Sequence, residues 1–269
     1  MEYDPIKDRL GALFGRSPLL KRAFFGILNL VFLRAWYVKK EIRRVFAEIE
    51  TRPIRVLDAG TGFGQYTYWM CRNFDDVVIT AVDIKDDYLN ELRKLLSATG
   101  LDHRVRLAVD DLTKLTAEGQ FDFVLSVDVM EHIEDDRAVF RNFKRVLAPG
   151  GRVLVNTPSD LGGSDIKEEG DESFIGEHVR DGYNREELEE KLATAGLRPI
   201  RTIYTYGPWG SLAWRLLIKY PMQLLSLSWL LLILLPFYYV LALPIGLVLN
   251  AIDVGRDNAA GTGLLVVSD

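Results

Sequence analysis

Two hundred and sixty-nine residues, 48% of them hydrophobic and 26% charged, suffice for one large domain with a real core or for a domain with an accessory element. Disordered, collagen-like and disulfide-scaffold chains are excluded, the last because Cys71 is the single cysteine. The formal charge of −5 is uneven: residues 1–55 carry 12 Lys+Arg against 6 Asp+Glu, and the remainder carries 21 against 32. A chain so acidic outside one short segment argues against duplex nucleic acid as a partner, whereas a basic, apolar helix on an acidic body suits an anionic membrane surface.

No charged segment followed by a short apolar run and a small-residue cleavage site opens the chain, so a reducing, cytoplasmic setting is expected. Residues 23–33 are apolar except for Asn29 and are flanked by Lys21, Arg22, Arg34, Lys39, Lys40, Arg43 and Arg44. This N-terminal region, residues 1–50, reads as a basic amphipathic helical segment lying at the headgroup level of a membrane.

From residue 51 onward strand-like and helix-like stretches alternate. Residues 54–57, 77–82, 105–109, 121–127 and 152–156 are short β-branched or apolar runs. Between them, Tyr88, Leu89, Leu92, Leu95 and Leu96 share one helical face, with Gly100 as its stop. Val139, Phe140, Phe143, Val146 and Leu147 share another, ahead of Pro149-Gly150-Gly151. Repeated strand–helix–strand units imply a parallel, doubly wound sheet whose ligands lie beyond the carboxyl ends of its strands.

At the carboxyl end of the first strand stands Asp58-Ala59-Gly60-Thr61-Gly62-Phe63-Gly64. Alternate glycines permit a sharp turn and close approach of a ligand to the backbone, while the following helix offers free amides. Taken alone, they serve equally well in a tight strand–helix turn, and Asp83 equally well as a helix cap. A dinucleotide-binding loop would want Gly or Ala at position 65, which is Gln65, and does not call for an acid before the first glycine.

In these residues the chain resembles the class I S-adenosylmethionine-dependent methyltransferases, through most of residues 50–206. The Asp58–Gly64 segment is similar to the family's first motif, whose loop passes under the methionine part of the cofactor, and Asp83 matches the acid that takes the ribose hydroxyls. Asp110-Asp111-Leu112 resembles the segment meeting the adenine, Asp111 being either its partner or an N-cap. Phe121-Asp122-Phe123-Val124-Leu125-Ser126-Val127-Asp128-Val129-Met130-Glu131-His132-Ile133 and Leu147-Ala148-Pro149-Gly150-Gly151 resemble the later motifs. The resemblance implies S-adenosyl-L-methionine as cofactor, held by Asp58, Gly60, Gly62, Gly64, Asp83, Ile84, Asp110, Asp111, Leu112, Ser126 and Asp128, and no metal. Asp128 and Glu131 either line the pocket or are solvated at a strand end.

Methyl transfer in this family is an in-line displacement from an activated sulfonium, so alignment in a dry pocket is the protein's main task, and a base is needed only for a protonated acceptor. His132 and His178 are the candidate bases, a structural hydrogen-bonding role being equally open for each, while His103 belongs to the surface. A helix over 185–195 is capped by Asn184, with Glu187 in the capping-box position. Acidic, glycine-containing residues 165–177 have the composition of a mobile lid.

Residues 197–206 read as a sixth strand and 263–267 as a seventh, leaving 207–262 as an insertion. Within it, residues 220–252 contain no Asp, Glu, Lys, Arg or His. Pro221, Pro236 and Pro244 are expected to divide this run into pieces of 14 residues (222–235) and shorter, each too short for a full crossing. Strands six and seven are direct neighbours in the family, so both ends of the insertion lie on one side of any membrane, and a helical hairpin dipping into one leaflet results.

The expected architecture is therefore an α/β, doubly wound, seven-stranded Rossmann-like methyltransferase sheet (51–206 plus 263–269), with the N-terminal helical region and a membrane-associating insertion at 207–262. The expected function is a monotopic methyltransferase on the cytoplasmic face of a membrane, acting on a lipid-like acceptor and not on nucleic acid. Two alternatives are a soluble small-molecule methyltransferase whose apolar helices form a lid or dimer interface, and a non-catalytic membrane-bound assembly factor. Oligomeric state is left open.

Overall fold

The computed structural model describes residues 17–162, 179–227 and 233–269. Seven strands, β1 (Ile54–Ala59), β2 (Val77–Asp83), β3 (Val105–Val109), β4 (Phe121–Val127), β5 (Leu147–Pro158), β6 (Pro199–Thr205) and β7 (Gly263–Ser268), form one sheet in the order β3-β2-β1-β4-β5-β7-β6. Pairs β1–β2, β1–β4, β2–β3 and β4–β5 are parallel, and β7 is antiparallel to both β5 and β6. β6 therefore runs with the first five strands and ends on the same carboxyl edge.

The helices before the last strand pair are α1 (Pro18–Val31), α2 (Leu33–Glu48), α3 (Gln65–Asn73), α4 (Asp86–Thr99), α5 (Asp136–Val146) and α6 (Arg185–Thr194). Alternation along each strand splits the core in two. Val56, Ile79, Phe123 and Leu265 face α2, α3 and α4 through Ile42, Val45, Met70 and Leu92. Leu57, Val82, Val124 and Leu264 face α5 and α6 through Phe140, Phe143, Leu188 and Leu192. Gly100 closes α4 in the left-handed region (φ +68°), and Asn184 caps α6 by accepting from the Glu186 amide at 3.0 Å. Glu187 pairs instead with Lys191 at 2.7 Å.

Three expectations are corrected. The segment Leu147-Ala148-Pro149-Gly150-Gly151 is the start of β5, not a turn before it: Phe121 pairs with Leu147 and Phe123 with Arg152, so a bulge absorbs the intervening residues. The N-terminal helix breaks at Phe32, which is extended (φ −83°, ψ 113°). Nor do its basic residues all project outward. Lys21 and Lys39 are buried, Lys39 lying 5.1 Å from the Trp69 ring centre, and Lys40 donates to the Val254 carbonyl at 2.7 Å. Burial lowers both the Lys21 and Lys39 ammonium groups to about 8.

Between β6 and β7 the chain forms α7 (Pro208–Trp214), a π-helical turn (Arg215–Lys219), α8 (Tyr220–Leu227) and α9 (Leu235–Val254). Pro236 starts α9, but Pro244 lies inside it without ending it, so the shorter pieces expected on either side of Pro244 form one 20-residue helix, about 30 Å long. A proline removes one helical donor and need not stop a helix whose neighbours hold it. Among the described residues α9 is the one helix long and apolar enough to cross a membrane, and 22% of its apolar window is buried.

α7 and α9 pack through small residues. A Cβ on Gly246 would run into Leu217, and one on Gly210 into Leu33 and Asp253. At the π turn, the Tyr238 and Tyr239 hydroxyls donate to the Leu216 and Leu217 carbonyls at 2.7 Å each. At the base, the buried Asp253 carboxylate accepts from the Tyr37 hydroxyl (2.6 Å), the Gly210 amide (2.8 Å) and the Asn258 side chain (3.2 Å).

Candidate active site at the carboxyl edge of the sheet

β1 ends at Ala59, and the next residues leave the sheet through left-handed glycines: Gly60 (φ +80°), Gly62 (φ +54°) and Gly64 (φ +83°). Gly60 and Gly64 abut Val129 and Leu92, whereas nothing lies within 4 Å of a Cβ built on Gly62. The loop is pinned from both sides. Val82 accepts from the Gly60 and Thr61 amides at 2.9 Å each, and the Asp83 carboxylate accepts from Gly62 (2.8 Å) and Lys85 (2.9 Å). Asp83 thus secures the glycine loop, and α4 starts beyond it with Lys85 as its N-cap residue. α3 begins at Gln65, and its N-cap residue, Gly64, has no side chain to cap it.

Asp58 lies beneath the loop, 3% exposed, and its Oδ2 accepts from the hydroxyls of Thr67 (2.5 Å) and Thr61 (2.8 Å). Burial pushes its carboxyl up to about 6, against the pull of those hydroxyls and with help from the Asp83 charge.

Asp110 is buried and bonds the Thr116 amide and hydroxyl and the Ala117 amide, all at about 3.0 Å, which folds the segment after β3. Asp111 caps the turn Leu112–Lys114 through the Thr113 amide (2.9 Å) and hydroxyl (2.8 Å), which hold its carboxyl below the usual range. Ile84 is exposed and Leu112 buried. The Ser126 Oγ at the end of β4 is buried with no hydrogen-bond partner among the described residues.

Asp128 follows β4 in the left-handed region (φ +52°). Its amide donates to the Asn156 carbonyl (2.8 Å), one carboxylate oxygen accepts from the Asn156 side chain (3.0 Å), and the other is ion-paired with Arg34 of α2. The Tyr206 hydroxyl, at the end of β6, accepts from the Arg34 amide at 3.1 Å. Glu131 is 1% exposed, not solvated, and accepts from the Thr157 hydroxyl at 3.2 Å. Burial lifts its carboxyl to about 7, against the opposing pull of its hydrogen bonds and of Arg34 and Arg180.

Of the candidate bases, His132 is exposed beside buried Glu131, and His178, with the acidic segment 165–177, falls outside the described residues. His103 is exposed. Arg34, Tyr206 and Asn156 were not legible as site residues. One signal was available: between Arg22 and Lys39 the single charge is Arg34, set in Val31-Phe32-Leu33-Arg34-Ala35-Trp36.

The sheet order, the antiparallel seventh strand, the glycine loop and the acid ending β2 define a Rossmann-like methyltransferase fold. Residues 56–151 match the family described as "Methyltransferase domain". Phosphoethanolamine N-methyltransferase 3 of Arabidopsis thaliana is 34% identical over 148 residues, 51% of this chain and 30% of that protein. A ubiquinone biosynthesis O-methyltransferase of Xanthomonas axonopodis pv. citri (strain 306) is 34% identical over 115 residues, 42% of this chain and 46% of that one. The chain spans less than half the length of these curated relatives. Phosphoethanolamine N-methyltransferase 2 of Haemonchus contortus, in complex with S-adenosyl-L-methionine, shares the fold over 100% of this chain and 60% of its own, with a TM-score of 0.63 and 21% identity. Residues 56–151 thus carry a methyltransferase domain, set in a sheet with the fold of the class I S-adenosylmethionine-dependent methyltransferases.

Proposed function

We propose that this chain transfers a methyl group from S-adenosylmethionine to a lipid-like or otherwise hydrophobic acceptor at the cytoplasmic face of a membrane, lying in one leaflet without crossing it. The observation that carries the membrane part is an exposed apolar surface on two touching elements. On α9, Phe237, Val240, Leu241, Ile245 and Val248 are 53–73% exposed, and on α1 Leu19, Leu20, Ile27 and Leu30 are exposed. Asn250 of α9 donates to the Val31 carbonyl of α1 at 3.4 Å. Arg22, Arg43 and Arg44 remain exposed nearby in sequence, a complement to anionic headgroups. A name such as ubiquinone biosynthesis O-methyltransferase among the relatives is compatible with a hydrophobic acceptor.

The residues at the carboxyl edge fit the cofactor: Gly62 faces open space, the N-cap of α3 is a glycine with no side chain in the way, and Asp83 retains acceptor capacity for ribose hydroxyls. Asp110, Asp111, Leu112 and Ile84 would border the adenine, Ser126 and Asp128 the methionine end, and Asp58 would brace the loop from below. When bound, the cofactor supplies an electrophilic methyl group on a sulfonium. The chain's part is to align the acceptor's lone pair with that methyl and exclude water, with proton removal needed only for a protonated acceptor.

Flotation with liposomes containing anionic lipid, followed by methyl transfer from labelled cofactor into a lipid extract, tests the reading. Flotation with label in the organic phase is expected. A monodisperse, detergent-free dimer that does not float would instead make the apolar surface a protein interface.

A further inference from the structure

α1 carries two faces with different partners. Its outer face is the apolar one. Its inner face lies over the cofactor loop: Asn29 accepts from the Gln65 side chain at 2.8 Å, the Phe25 ring lies 6.0 Å from Tyr68, and Lys21 lies 6.0 Å from the Phe63 ring, itself stacked 4.2 Å from Tyr88. Gln65 and Phe63 belong to the start of α3 and to the glycine loop. A second tie runs through Arg34, two residues beyond Phe32, to Asp128.

The docked position of α1 is weakly held. Of its fourteen residues Lys21 and Phe25 alone are buried, and Phe32, extended, separates it from α2. A helix of that length is marginal without tertiary support. Docking also buries the Lys21 ammonium, whose Nζ has no hydrogen-bond partner among the described residues, a desolvation cost that undocking would relieve.

We infer that α1 couples membrane and cofactor: seating its outer face in a leaflet beside α9, and binding S-adenosylmethionine beneath its inner face, favour the same docked position. This inference rests on the leaflet reading above. Two ligands that select one state of a shared element raise each other's affinity by a common factor. The protein on a membrane therefore holds cofactor more tightly than the protein in solution.

Calorimetric titration of the full chain with S-adenosylmethionine, with and without phosphatidylglycerol–phosphatidylcholine vesicles, tests it, with vesicle sedimentation measured in parallel. The cofactor Kd should fall about 5-fold or more with vesicles. Lys21→Met keeps the stem and removes the buried charge, so it should tighten cofactor binding in vesicle-free solution and shrink the vesicle effect. Phe25→Ala with Asn29→Ala should still sediment but lose the response. Sedimentation with an unchanged wild-type Kd, or weaker vesicle-free binding by Lys21→Met, overturns the coupling alone. Absence of sedimentation overturns the leaflet reading and the coupling with it.

Discussion

Arg34, in the first turn of α2, and Asp128, just past the end of β4, form an ion pair that ties the N-terminal helices to the cofactor edge of the sheet. The two side chains are 31% and 29% exposed, so the pair sits between the weak surface case and the costly buried one. Arg34→Ala should cost about 1–2 kcal/mol of stability, by leaving Asp128 with Asn156 alone. A double-mutant cycle with Asp128→Ala, read by chemical denaturation, should give a coupling of roughly 1 kcal/mol or more. Additive single-mutant effects would show that the contact contributes nothing.

Asp83 performs a structural task and, in the proposed function, a binding one. Asp83→Ala should weaken cofactor binding by one to a few kcal/mol, about the value of charge-assisted hydrogen bonds, and should also loosen the loop at Gly62. Calorimetry on folded mutant protein checks the first effect. Unchanged affinity would confine Asp83 to holding Gly62 and Lys85.

Glu131 makes a pH-dependent contribution whose sign follows from its raised pKa. Its native value of about 7 lies above the ordinary 4.5, so folding favours the protonated form. Its stabilising contribution is complete below about pH 4.5 and is lost as pH rises through about 7. Glu131→Gln, which keeps an acceptor for Thr157, should therefore gain in unfolding free energy relative to wild type between pH 5 and 8, by on the order of 1–3 kcal/mol at the upper end. A difference that does not change with pH over that range would refute the assignment.

Local patterns made most of the sheet legible. β1 to β4, β6 and β7 fall within about two residues of the runs read from the sequence; in β1, β4 and β7 burial on both faces leaves a continuous apolar signature, whereas β3 and β6 are only partly buried. β5 was shortened because Pro149-Gly150-Gly151 has turn composition, and only its pairing with β4 shows a bulge. Pro244 departs from expectation for a related reason: a proline's effect depends on what holds the helix around it, and α9 is held by the π turn, where Leu217 abuts Gly246, and by α7, where Gly210 abuts Asp253. Glycines and acids of the cofactor loop are close in sequence and could be found there. Arg34 is 94 residues from Asp128, and charges flanking an apolar stretch suit a headgroup layer as well as a buried ion pair.

Asp253 anchors the apolar hairpin to the domain, accepting from Tyr37, Gly210 and Asn258 in a fully buried setting. Asp253→Ala leaves those donors without their shared acceptor and should destabilise by about 3 kcal/mol or more, and Tyr37→Phe by about 1 kcal/mol. Thermal unfolding of the two variants gives the comparison. Equal, small effects would mean that water replaces the carboxylate and that the hairpin is held by apolar contacts.

The hairpin itself can be removed. Deleting residues 211–249 and joining the ends with a short glycine-containing turn retains Gly210, Asn250, Asp253 and Asn258, hence the polar anchor at the hairpin's base. It also leaves β6 and β7 with their full antiparallel register, from Thr205–Gly263 to Pro199–Ser268. The buried residues removed, among those described, are Ala213, Leu217, Pro221, Ala242, Gly246 and Leu249 of α7, the π turn, α8 and α9, so the two sheet-facing cores lose none of their members. The shortened protein should therefore fold and bind cofactor, with an affinity near that of the full chain in solution. Vesicle sedimentation should fall, and the remainder, through α1 and its exposed basic residues, should weaken with salt because such attraction is screened over about 10 Å at 0.1 M. Circular dichroism, calorimetry and sedimentation decide among these outcomes. Aggregation or failure to fold would show that the apolar helices complete the domain core or an obligate interface, and the monotopic reading would have to be abandoned.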